Sequence, residues 1–99
     1  MRVQIVSEGR GGTVRFENEH TSFNMWWEFA GSSALAIIGL PSRQHWEAET
    51  KLPLEQRANT LRFIGEHIVK AQTSGRGSYC YDDQTMTIYS DDTAKNSSP

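Results

Sequence analysis

A single cysteine, Cys80, rules out an internal disulfide in this chain of 99 residues. The fold must therefore be held by packing, which suits a reducing compartment. No segment approaches the ~20 consecutive apolar residues that a membrane helix needs. The apolar share of 36% and the mean hydropathy of −0.60 describe a water-soluble globule. A basic excess is missing too: 10 Lys and Arg stand against 12 Asp and Glu, a formal charge of −2. That balance is far from the one most nucleic-acid binders carry, so nucleic acid is not the expected partner. A secretory leader is equally hard to find, because Arg2, Gln4, Glu8 and Arg10 interrupt any apolar core near the start. The expected location is the cytoplasm.

Catalytic constellations are also lacking. His20, His45 and His67 fall on three different predicted elements, with no His-x-x-x-His pair and no second cysteine to complete a zinc site. His45 and Glu49 share one face of a short helix, a spacing that fits a hydrogen bond better than a metal site. Cys80 lies between Tyr79 and Tyr81 without a helix N-terminus or an adjacent cation to activate it, so buried packing is its expected role. Glu17 and Glu28 are the carboxylates that could pair for acid–base work, but nothing in the spacing makes them converge. The glycine clusters Gly9-Arg10-Gly11-Gly12 and Gly75-Arg76-Gly77 have neither the P-loop ending nor dinucleotide-binding spacing, and read as turns. The expectation is a protein without metal, cofactor or catalytic residue.

What the chain does have is strand alternation. Val3 and Ile5 oppose Arg2 and Gln4 over 2–6, and Val14 and Phe16 oppose Arg15 and Glu17 over 13–17, with residues 9–12 as the turn between them. In Phe-Asn-Met-Trp-Trp-Glu-Phe at 23–29, Phe23, Met25, Trp27 and Phe29 would line the core face while Asn24, Trp26 and Glu28 line the other. After a break at 30–33, residues 34–40 are apolar without strict alternation, as in a central strand covered on both faces.

Pro41 stops that strand, and Ser42 is placed to cap a short helix through Glu49. Pro53 starts the longest periodic segment. Leu54, Ala58, Leu61, Ile64, Ile68 and Ala71 recur at spacings of three or four and predict a helix over 53–72, with Arg62–Glu66 and Glu66–Lys70 pairs on its outer side. Residues 78–82 and 85–90 predict a closing hairpin turning at Asp82-Asp83-Gln84, and the polar residues 91–99 a disordered C-terminal tail. Grouped strands favour an α+β fold: one domain over residues 1–90, an antiparallel sheet of five or six strands, and one long and one short helix on one face.

The feature hardest to explain by packing is Trp26. An indole on the polar face of a strand lies under another element or is surface held ready for a partner. Trp is enriched among residues that dominate interface energy. Asn24 and Glu28 flank it, and Glu17 and Glu19 add acid near the same strands, so these five residues form the expected partner-binding set, suited to a basic protein.

The run Ile37-Ile38-Gly39-Leu40-Pro41, then Trp46-Glu47, then Leu52-Pro53-Leu54 with Arg57 and Ile64 in the helix and the closing hairpin, resembles small bacterial proteins of immunity type. These accompany polymorphic and contact-dependent toxins. The resemblance covers roughly residues 34–90. It implies a cytoplasmic, non-catalytic inhibitor that occludes the active site of one toxin, with no residue role to carry over. Two alternatives stand beside it. One is a small nucleic-acid binder using Arg10, Arg76 and stacking aromatics, and the other a homodimer formed through the aromatic face.

Overall fold

The computed structural model describes residues 1–31 and 34–90. The expected tail at 91–99 and part of the break at 30–33 lie outside the described residues. The elements are β1 (Arg2–Glu8), β2 (Gly11–Glu17), β3 (Ser22–Phe29), β4 (Ala36–Gly39), α1 (Trp46–Thr50), a single 3₁₀ turn (Leu54–Gln56), α2 (Arg57–Thr73), β5 (Gly77–Tyr81) and β6 (Thr85–Ser90). The six strands form one sheet in the order β1-β2-β3-β4-β6-β5 with every neighbour antiparallel, an α+β fold with β4 in mid-sheet.

The first hairpin is tighter than the glycine cluster suggested. Glu8 pairs with Gly11, so the loop is Gly9-Arg10 alone and the strands run on through Glu8 and from Gly11. Gly9 holds φ 68°, the positive value that a type II′ hairpin turn asks of its first central residue. Gly12 is needed for a different reason. A Cβ there would fall 1.9 Å from the Val6 carbonyl oxygen and 2.9 Å from Trp27 Nε1. The gap lets the Trp27 indole donate to that carbonyl at 3.0 Å.

One face of the sheet carries the core. Val3, Val14, Phe16, Phe23, Met25, Trp27, Ile38, Met86 and Ile88 point inward and meet Trp46, Leu61, Ile64 and Ile68. Phe16 stacks on Phe23 with ring centroids 5.2 Å apart, and Phe63 reaches across from α2 to meet Phe16 edge-on at 6.2 Å. Phe29 does not join them. It occupies the inward register but is 57% exposed, because α2 packs on β5 and β6 and leaves this end of β3 uncovered.

The long helix is correct in place and shifted in face. Its first residues form the 3₁₀ turn, and the buried positions are Arg57, Thr60, Leu61, Ile64, Gly65, Ile68 and Val69. Ala58 and Ala71, expected inward, are exposed. The stripe was displaced because two of its members, Arg57 and Thr60, are polar and Gly65 has no side chain. Gly65 is where the ring of Tyr79 lies: a Cβ there would sit 2.7 Å from Tyr79 Cδ2. Among the described residues, Arg62, Glu66 and Lys70 form no ion pair.

Arg57 ties three segments together. Its guanidinium donates from Nε and Nη2 to the Pro41 carbonyl at 3.4 and 3.1 Å, and from Nη2 to the Asp83 carbonyl at 3.0 Å. It also lies over the Trp46 ring, 5.9 Å from the centroid. The Asp83 carboxylate accepts the Arg43 amide at 2.8 Å, which fixes the approach to α1. Ser42 is not the helix cap. Its hydroxyl meets His45 Nδ1 at 2.9 Å in the preceding turn, and His45 occupies the N-cap without a side-chain bond. No helix among the described residues is long and apolar enough to cross a membrane.

Candidate protein-binding surface

Among the described residues, the opposite face of the sheet carries no helix. Its side chains follow from the register. One cross-strand row runs Val6, Thr13, Trp26, and the next runs Glu8, Gly11, Glu28, Ile37, Thr87, Cys80. Below them Gln4, Arg15 and Asn24 form a third row. Trp26 is 51% exposed and Val6 48%, both large for apolar side chains outside the core.

The indole of Trp26 lies flat on β4. A Cβ at Gly39 would fall 2.1 Å from Trp26 Nε1 and 2.2 Å from Cε2, so glycine gives the ring a seat that any other residue would take away. Gly39 is thereby buried although it faces outward. Among the described residues, the outer face of β4 is covered by this aromatic ring, with Ile37 half-buried beside it. One face of the indole rests on the protein, and the other is open to solvent.

Charge around the ring is uneven. Glu8 and Glu28 stand on the same row with only Gly11 between them, roughly 10 Å apart by strand spacing. Neither joins an ion pair among the described residues. On the other side of Trp26, Arg15 is held by the Ser22 hydroxyl at 3.1 Å and by Glu17 at 3.8 Å. The charge beside the indole is therefore Glu8 and Glu28 together with Arg10, which lines the same cleft, two acidic groups against one basic.

The expected site residues separate into two groups. Trp26, Asn24 and Glu28 are exposed neighbours on β3. Glu17 sits at the far end of β2, opposite Ser22, where Arg2 engages it at 2.8 Å. Glu19 is in the β2–β3 turn, which the Asn18 side chain organises by accepting the amides of His20 and Thr21. Six pairing steps, roughly 20 Å, separate Glu17 from Glu28, so these two carboxylates do not converge. Val6 and Glu8 belong to the surface and were not among the expected residues. The signal for them was the two-residue turn, which extends both strands and brings Glu8 onto the row of Glu28.

Other candidate chemistry is dispersed. Among the described residues no group of three or more His, Cys, Asp or Glu side chains is gathered for a metal ion. Cys80 is exposed and not packed, because it lies on the bare face opposite Thr87 while Tyr79 and Tyr81 take the inward register. Arg10 and Arg76 lie towards opposite lateral edges of the sheet, roughly 20 Å apart by strand spacing, and cannot clasp one phosphate together. Comparison with protein-family models, curated proteins and solved structures found no match.

Proposed function

We propose that this protein is a non-catalytic protein-binding module whose contact surface is the bare face of β3, with Trp26 as its anchor and Glu28 as its charge selector. The observation that carries the reading is the seat of Trp26: a large ring resting on Gly39, half open to solvent, in a cleft it shares with the Glu28 carboxylate. A pre-set aromatic loses little freedom on binding and offers its free face to an apolar or cationic side chain. Glu28 favours a basic partner by steering and by pairing. Occlusion needs no further chemistry.

In its more specific form the partner is the catalytic domain of a bacterial toxin, bound in the cytoplasm and blocked one to one. The support for this form is the resemblance of residues 34–90 to immunity-type proteins together with the acidic, aromatic face. The separation of Arg10 from Arg76 disfavours the nucleic-acid alternative.

The test is affinity recovery of a partner from the source cell, followed by titration against wild-type protein and Trp26→Ala. Loss of binding by roughly 30-fold or more is expected, corresponding to an interface anchor worth about 2 kcal/mol. Equal affinity for the two proteins overturns the assignment of this face. Recovery of no protein partner overturns the binding function. The toxin form is tested by co-expression with the product of the adjacent reading frame, where growth inhibition that this protein does not relieve excludes it.

A further inference from the structure

The sheet has two lateral edges, and they differ. β5 is short and lies under α2, whereas β1 runs seven residues with no proline and no lysine and, among the described residues, no helix packed along it. Folded proteins usually blunt such an edge. We propose that β1 is a self-association edge, at which a second copy of this chain pairs antiparallel about Ile5 to make one continuous sheet of twelve strands.

The hydrogen-bonding parity of the first hairpin selects that register. In a two-residue hairpin the residues flanking the loop exchange hydrogen bonds, so Glu8 with Gly11 is a bonded pair, and Val6 with Thr13, Gln4 with Arg15 and Arg2 with Glu17 follow at alternate positions. The Val6 carbonyl accordingly faces inward, where it receives the Trp27 indole. The amides and carbonyls of Val3, Ile5 and Ser7 are then the ones that face the open edge. Centring the pair on Ile5 matches Ile5 with Ile5 of the second copy and Val3 with its Ser7, and all of these outward groups become bonded.

The same register settles the charges. Arg2 falls opposite Glu8 of the second copy, and Glu8 opposite its Arg2, on the face where non-bonded pairs bring side chains close. Gln4 falls opposite Val6. A shift by two residues would lose both charge pairs, and a shift by one would present inward-facing groups and turn the core face outward. On the core side, the two Ile5 side chains meet. Ile5 is half-buried in the single chain and lines a small apolar cavity with Trp27, Phe29 and Ile68, so pairing covers surface that α2 leaves open. The two-fold axis stands perpendicular to the sheet and places both helices on the same side. Trp26 and Glu28 lie two strands away from the seam, whereas Glu8 and Val6 border both it and the proposed binding face, so the pairing is read by sedimentation of this chain alone, without any foreign partner.

Sedimentation velocity over concentrations up to about 1 mM reads the result. Wild-type protein is expected to move from the mass of one chain to that of two as concentration rises. Glu8→Arg and Arg2→Glu each juxtapose like charges twice and are expected to weaken pairing at least about tenfold. Mixing these two variants restores both charge pairs in a heterodimer, so the mixture is expected to associate where each alone does not. Ser7→Pro, which removes an edge-facing amide while sparing the ladder to β2, is expected to abolish pairing and keep the fold. A wild-type chain that stays monomeric throughout overturns the proposal, as does a mixture no more associated than its components.

Discussion

The two ends of the sheet are finished in different ways. In the closing half, β5 and β6 lie under α2, and Arg57 bonds the carbonyls of Pro41 and Asp83, so loop, turn and helix hold one another. In the opening half, β1, β2 and β3 are held by their ladder and, on one face, by Trp46 and the inner side of α2, with the other face open among the described residues. Each half also contains an aromatic ring resting on a glycine. Tyr79 lies on Gly65 between sheet and helix, and Trp26 lies on Gly39 with solvent above it. The same local contact serves packing where a helix covers it and display where nothing does. Both halves contribute to the core, and the available surface is concentrated in the opening one.

Removing Arg57 attacks the closing half at its strongest point. Its side chain is almost wholly buried, and Arg57→Ala leaves the Pro41 and Asp83 carbonyls short of donors and empties the space over Trp46. A loss of about 2–4 kcal/mol in chemical denaturation is expected. Arg57→Lys is not expected to restore it, since one ammonium cannot reach both carbonyls with the planar fork of a guanidinium. A variant with unchanged midpoint would mean that loop, turn and helix are not clasped at this point.

The paired glycines sharpen the contrast with a smaller effect. Gly65→Ala places a methyl 2.7–2.8 Å from three atoms of the Tyr79 ring, which must shift within the helix–sheet contact. The expected cost is about 1–2 kcal/mol after allowing for the better helix propensity of alanine. Gly39→Ala pushes the Trp26 ring into solvent, where it can swing freely, and is expected to cost less than about 1 kcal/mol. Its readout is fluorescence. Trp27 and Trp46 are buried, so the acrylamide-accessible share of emission reports Trp26 and should rise in Gly39→Ala but not in Gly65→Ala. Equal stability losses would show that both faces of the sheet are packed alike.

Periodicity made the frame legible: strand alternation placed the inward set of β1, β2 and β3, and helix spacing located α2. It failed where a residue's role is set by something distant in the chain. Arg57 faces inward because Pro41, Asp83 and Trp46 receive it, which no helical pattern of apolar residues can register. Phe29 fits the inward pattern and is exposed because the helix ends its cover short of it. Cys80 looked buried between two tyrosines, yet alternation alone sends it to the other face, and the bareness of that face was not written in β5. Trp26 was legible as an outward indole. Its seat on Gly39 was not, because the pairing of β3 with β4 fixes it.

The smallest expected effect concerns pH and falls on the turn that Arg57 grips. The Asp82 carboxylate accepts the amides of Gln84 at 2.8 Å and Thr85 at 2.9 Å, and these bonds hold its pKa below the usual carboxylate value. A pKa lower in the folded chain than in the unfolded one means that its contribution is complete above the unfolded value. It is lost as pH falls through the folded one. Tyr79 works in the opposite sense: burial first, then Glu66, raises its pKa above 10.0, so its neutral form is favoured on folding. That contribution is present below the unfolded value and declines as pH rises through the folded one. The closing hairpin should therefore lose stability at both extremes. Asp82→Asn keeps an acceptor for the two amides but cannot titrate, so it should flatten the acid limb of a stability–pH profile and leave the alkaline limb intact. Tyr79→Phe should do the reverse. If Asp82→Asn leaves the acid limb unchanged, the turn's carboxylate is not part of what holds the closing half together.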